Sequence, residues 1–321
     1  MRLAVFHADL ERRGPGILLR DILRGEDDQV DAVVEVIAGA DPDILLLLGV
    51  DWDAGLAAVS ALSGRLAEAG SDFPYIFAPR PNAGRPSGVD LDGDGTWPEA
   101  QDAQGYGRFT GEGGMALLSR LPIDADAARD FSALLWRDLP GNGAEAVLTD
   151  EALEVARLST MGIWDVPIVT DAGPFHVLAI HAGPPVFDGP EDRNGIRNED
   201  ETGFLVRYLD GWSPDGVPFD AEEFAVMGTL NVDPERGEGR RGALSALLSH
   251  DLVQDPQPVS ETGGTATADW DDPQPGNLRV DYVLPSADVT VSDSGVLWDA
   301  PQAAAASRHR LVFVDVELGR D

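Results

Sequence analysis

The chain predicts an α/β (α+β) fold in which strands outnumber helices. Three observations carry that expectation. Residues 44–50, ILLLLGV, are apolar on both faces, as in a strand at the centre of a covered sheet. Residues 29–38, QVDAVVEVIA, instead repeat Val30, Val33, Val34 and Ile37 at helical spacing. Segments of both kinds alternate along the chain, with no repeat at fixed period.

The elements follow in order. Residues 3–7, LAVFH, read as a short strand ending on His7, and residues 11–16, ERRGPG, as a turn-rich loop. The helix of residues 29–38 stops at Asp41-Pro42-Asp43, where the strand of residues 44–50 begins. Asp51 and Asp53 follow it and alternate with Gly49 onto one face. A helix over about 54–69 and a short strand at 75–78 come next. Residues 79–113 are a long acidic insertion rich in Gly, Pro and Asp, a length that is uncommon unless functional or tied down. A strand at 114–118 precedes residues 124–160, which give no clear pattern. Residues 166–169 and 175–181 form a hairpin around Asp171-Ala172-Gly173, ending on His181. A helix at 201–209, a strand from 224 that breaks at Gly228, and a helix near 243–248 follow. A loop over 269–275 leads to strands at 280–284, 289–291 and 311–316. No stretch reads as a domain linker, so one domain over 1–321 is expected.

Composition narrows the function. Against 57 acidic residues there are 23 basic ones, a net charge of −34. Binding to duplex DNA depends on basic groups neutralising phosphates, so long nucleic acid is a poor partner. Cysteine is absent, which removes disulfides and thiolate metal sites. No secretory signal or membrane-length apolar run is visible, and the expected location is the cytoplasm.

The polar residues fall at strand ends: His7, Asp51, His181, Thr229 with Asn231, Asp281, and Ser307-Arg308-His309. Taken singly, each is more often structural, since Asn and Asp are ordinary turn residues. Together they repeat one pattern, a strand delivering a polar group toward a common crevice.

Six stretches resemble the endonuclease/exonuclease/phosphatase superfamily: ADPDILLLLGVDWD near 40, GGMALLSRLPI near 114, HAGPPVFDGPEDRNGIRNEDE from 181, FAVMGTLNVDP from 224, RVDYVLPS from 279 and SRHRLVFVDV from 307. They follow the family's order, and the stretch from 181 resembles a bacterial branch. The resemblance implies a four-layered α-β-β-α sandwich of two mixed sheets flanked by helices. It also implies phosphoesterase-type hydrolysis with a divalent metal, Mg²⁺ or Mn²⁺, at the pocket, and a small phosphorylated substrate or anion as partner. By position it makes His181, Asn231, Asp281 and His309 catalytic candidates, and His7, Thr229 and Arg308 candidates for substrate contact.

Four positions depart from the family pattern. His7 stands for an Asn and Gly49 for the Glu ligand; Thr229 and Arg308 each stand for an Asp. Gly49 removes the principal carboxylate for Mg²⁺, a cation that wants oxygen donors. Thr229 is no base at neutral pH, and Arg308 is a permanent cation. Asp51, on the same face as Gly49, is the substitute ligand on offer. These losses leave a second expectation beside the enzyme, a non-catalytic protein that holds an anion.

Three other motifs remain. DLDGDG at 90–95 resembles a calcium loop, with Asp90, Asp92 and Asp94 as donors. Gln101 stands where the bidentate Glu belongs, so a bound cation and a metal-free acidic turn are both open. GEGRRG at 237–242 lacks the strand–helix context of a dinucleotide loop and reads as loop. Arg193 and Arg197 read as loop-fixing residues in preference to substrate contacts.

Overall fold

A computed structural model describes residues 1–270 and 274–319, so positions 271–273 of the expected 269–275 loop lie outside the described residues. The first third holds β1 (Arg2–Leu10), α1 (Ile17–Arg24), α2 (Asp28–Ala40), β2 (Ile44–Val50), α3 (Ala57–Glu68), β3 (Tyr75–Phe77) and β4 (Gly114–Ser119). Then come β5 (Arg129–Asp130), α4 (Asp150–Leu153), β6 (Ile163–Thr170), β7 (Gly173–His181), α5 (Arg193–Leu209) and β8 (Phe224–Thr229). The chain closes with α6 (Gly242–Leu248), β9 (Asp281–Pro285), β10 (Thr290–Val296), α7 (Ala303–Ala306) and β11 (Val312–Glu317).

The strands form two mixed sheets, one ordered β10-β11-β1-β2-β4-β3 and the other β5-β6-β7-β8-β9. β1 runs parallel to β2, and β7 to β8; the remaining strand pairs are antiparallel. The all-apolar β2 is explained by its two faces. Leu45 and Leu47 pack under the helix layer with Val33, Ile37 and Leu62. Leu46 and Leu48 pack between the sheets, against residues such as Val177 and Met227. On the far side Phe204, Leu205 and Leu244 cover Leu178, Ile180 and Val226 of the second sheet. The molecule is thus an α-β-β-α sandwich, the architecture implied by the resemblance.

Three expectations change. α5 begins at Arg193, eight residues before the expected 201. Its first turns are polar because they bind loops instead of apolar core. Asn198 Nδ2 donates to the carbonyls of Gly183 and Leu230, and Asp200 accepts from Trp136 Nε1 and the Gly143 N–H. Glu201 accepts from the N–H groups of Thr160 and Gly183. Second, Gly228 does not break β8 but lies inside it. A Cβ there would fall 1.9 Å from the Ile180 carbonyl oxygen, so glycine is what lets β8 approach β7. Third, α1 falls in a stretch that the apolar periodicity did not flag.

The long 79–113 segment is tied down. Asn82, fully buried, donates to the carbonyls of Ser132 and Ser159 and accepts from Arg157. Isolated bridges pair Ala83 with Gly105 and Pro86 with Ala103. Among the described residues no helix is long and apolar enough to cross a membrane.

Candidate active site

The polar strand ends meet where the two sheets come together. His181, the last residue of β7, pairs in register with Thr229, the last of β8, and Thr229 pairs with Asp281, the first of β9. His7 lies in β1 opposite Leu48. Between His7 and Leu10 the register slips, with Asp9 at φ 50°, and a bulge of this kind is how strands re-aim side chains near sites. His309 precedes β11, its N–H donating to Ser307 Oγ at 3.0 Å. Ser307 Oγ in turn lies 2.7 Å from the His7 carbonyl and 2.9 Å from Asp9 Oδ2.

Three imidazoles share this point. The His7 ring centroid is 4.3 Å from that of His309 and 4.9 Å from that of His181, both edge-on. Trp270 stands edge-on to His309, at 5.5 Å between ring centroids. His309 Nδ1 lies 2.8 Å from Asp281 Oδ2, and Thr229 Oγ1 donates to Asp281 Oδ1. Both ring nitrogens of His7 are buried without a hydrogen-bond partner. Asp9 Oδ1 stands 3.6 Å from His7 Nδ1, and Glu11 Oε1 stands 3.7 Å from Nε2.

Burial and charge give the histidines different protonation. Burial alone would lower the His7 pKa, but Glu11, Asp9 and Asp281 outweigh it and hold it up at about 9. His181 is pushed well below its ordinary value by burial and by the neighbouring His7 and His309, so it is neutral at pH 7. Burial would raise the Asp9 carboxyl, yet His7, His309 and the bonds from Ser307 and the Arg308 N–H hold it below the usual range.

Of the residues singled out in the sequence, His7, His181, Thr229, Asp281 and His309 converge. Asn231, at φ 58°, donates from Nδ2 to the Ala182 carbonyl at 2.7 Å and so fixes the chain just after β7. Arg308 is exposed, and it is its backbone N–H that bonds Asp9. Asp51 has both oxygens engaged by backbone N–H groups, of Arg12 at 3.0 Å and Gly113 at 3.2 Å. Burial, the largest cause, raises its carboxyl to about 6 despite those bonds. Asp90, Asp92 and Asp94 belong to a separate surface loop, where Asp102, one position beyond Gln101, joins Asp90 and Asp92. Arg197 ties the 79–113 segment, through the Gln104 carbonyl, to the carbonyls of Arg157 and Leu158, and burial lowers its pKa to about 10.

Asp9 and Glu11 were missed, because the expected strand ends at His7 and Glu11 falls in the ERRGPG loop. The signal was present: His7, Asp9 and Glu11 alternate, which on a strand places them on one face. Beside His181 opens a cavity of about 480 Å³ walled by Trp136, Met161, Arg197 and Glu201, with Tyr106 and Phe187 at its rim.

Residues 21–309 match the Endonuclease/Exonuclease/phosphatase family. The chain belongs to that family. An endonuclease/exonuclease/phosphatase family protein from Leptotrichia buccalis C-1013-b is 15% identical, with 99% of each chain covered and a TM-score of 0.57. An endonuclease/exonuclease/phosphatase from Beutenbergia cavernae DSM 12333 is 17% identical with a TM-score of 0.61, over 99% of this chain and 72% of that one. A Staphylococcus aureus beta toxin mutant with bound magnesium ions is 14% identical with a TM-score of 0.53, over 98% of this chain and 99% of that one. No curated protein matches the chain.

The family generally uses divalent metals, but an Mg²⁺ site of its usual kind does not fit here. Gly49, at φ 64°, stands where a carboxylate ligand is expected, and a Cβ there would fall 2.6 Å from His7 Nε2. The His7 ring therefore occupies the space into which a residue-49 side chain would grow. Glu11 Oε1 would lie 2.9 Å from the same Cβ, so the exchange at Gly49 and His7 puts the His7 imidazole and one carboxylate from just past β1 where the family pattern has its Glu ligand.

Proposed function

We propose that the chain is a phosphoester hydrolase acting on a small phosphorylated molecule. The Asp281–His309 pair supports this most directly. Asp281 Oδ2, an acceptor when ionised, lies 2.8 Å from His309 Nδ1 and so favours the tautomer protonated there, leaving Nε2 free. There His309 takes a proton from the attacking water as its oxygen bonds to phosphorus, then returns it to the departing ester oxygen as the P–O bond breaks. His7, cationic at neutral pH, places charge against the phosphoryl oxygens, and neutral His181 offers a hydrogen bond. Thr229 serves this pair by donating to Asp281, so it orients the base rather than acting as one. The adjacent cavity has the size and mostly apolar walls suited to the organic part of a small substrate.

The exchange at Gly49 and His7 favours a second reading, an anion-binding protein without turnover. Generic phosphomonoester and phosphodiester substrates, offered with and without divalent metals, separate the two. Hydrolysis that falls by about 10²–10⁴ in His309→Ala supports the enzyme. Saturable phosphate binding, lost in His7→Ala and unaccompanied by turnover above the His309→Ala level, supports the second reading.

A further inference from the structure

We propose that His7, Asp9 and His309 form a binding site for a divalent transition metal of the zinc class, in place of the Mg²⁺ site that Gly49 and His7 remove. One ligand atom from each of these three residues lies within 4.8 Å of the other two. The 3.6 Å between His7 Nδ1 and Asp9 Oδ1 is too long for a hydrogen bond. It is close to the ~3.4 Å that separates two ligands on a tetrahedral ion with bonds of about 2.0–2.1 Å. The buried and unpartnered His7 nitrogens are the independent mark of a missing partner, because native structures rarely strand such groups.

The surroundings resemble the outer shell that metal-binding histidines need. His309 is held through Nδ1 by Asp281, which is itself held by Thr229, so Nε2 is the free nitrogen. Asp9 keeps Oδ2 on Ser307 Oγ and the Arg308 N–H, leaving Oδ1 toward His7. Glu11 stands behind the other nitrogen of His7. Charge points the same way. Asp9, Glu11 and Asp281 crowd one point, and among the described residues their ion pairs are with histidines alone. Two imidazoles and one carboxylate suit zinc, and three protein ligands are the count of a catalytic rather than a structural zinc site. With the ion bound, His7 and His309 are its ligands, so its Lewis-acid charge on a phosphoryl oxygen replaces the cationic His7 and the His309 base of the metal-free site; that purpose rests on the proposed hydrolase function, the ion's presence does not.

The test is metal binding by the full chain, stripped with chelator and titrated with Zn²⁺ or Co²⁺ in excess Mg²⁺ without substrate. One tightly held equivalent is expected, with the visible absorption of four- or five-coordinate Co²⁺. His7→Ala and Asp9→Asn, checked as folded by circular dichroism, each weaken it by about 100-fold, while Asp92→Asn leaves it unchanged. No saturable binding in the unaltered protein overturns the proposal. So does binding that survives His7→Ala, vanishes in Asp92→Asn, or is matched by Mg²⁺. A bound ion without hydrolysis removes the enzyme reading alone, whereas hydrolysis by protein that binds no ion removes the metal site alone.

Discussion

Two clusters of titratable side chains differ in how their polar atoms are satisfied. In the surface loop around Asp90 the carboxylates turn back on their own backbone. Asp90 accepts from the N–H groups of Gly93 and Gly95, Asp94 from Thr96, and Asp102 from Leu91 and Glu99. In the cluster around His7 the imidazoles are buried, their partners are other side chains, and three nitrogens, both of His7 and Nδ1 of His181, have none. Density of acidic residues therefore says little about ligand binding. What separates a turn from a site is whether the chain has already used the donors and acceptors.

The widest gap between the two should appear on removing one carboxylate from each. Asp281→Ala strands Thr229 and His309 in a buried setting and costs about 3–5 kcal/mol in urea unfolding. Asp90→Ala returns two exposed N–H groups to water and should leave the unfolding midpoint almost unmoved. Equal losses would erase the distinction. A middle-sized effect tests the steric exchange within the His cluster. Gly49→Ala combines a crowded Cβ with a positive φ and should cost about 2–3 kcal/mol. In a His7→Ala background the clash with the His7 ring is gone and only that with Glu11 Oε1 remains, so a double-mutant cycle should show about 1 kcal/mol or more of coupling; additive losses would uncouple the two positions.

The smallest effect concerns Asp51, buried beside the cluster but satisfied like the loop. Its folded-state pKa, raised to about 6, means that the native protein binds the proton more tightly than the unfolded chain. Stability is then gained as pH falls from about 7 toward 5. The unaltered protein should gain about 1 kcal/mol on Asp51→Asn over that interval once screening is allowed for, read from paired melting temperatures. A constant difference would place Asp51 in ordinary solvent.

Much of this architecture was legible in the residues. The unbroken ILLLLGV run identified a strand buried on both faces, and polar residues at strand ends pointed to one crevice. The early turns of α5 were not legible, because Asn198, Asp200 and Glu201 bond to loops that are distant in sequence. Local pattern cannot announce such partners. Asp9 and Glu11 were hidden for another reason: a bulge and a run of charged and turn residues made the end of β1 look like a loop. Gly228 misled in the same way, since its role depends on Ile180 of the neighbouring strand.

His181, Thr229 and Asp281 are cross-strand neighbours, so the floor of the site is a hydrogen-bonded ladder whose spacing no single side chain can alter. The walls come from chain that has no such ladder: the segment with Tyr106, and the turn with Phe187. Related proteins that diverge in what they accept should therefore differ in those walls while the floor stays put. Insertions and deletions between 79 and 113 are where a new preference can arise without disturbing the chemistry beneath.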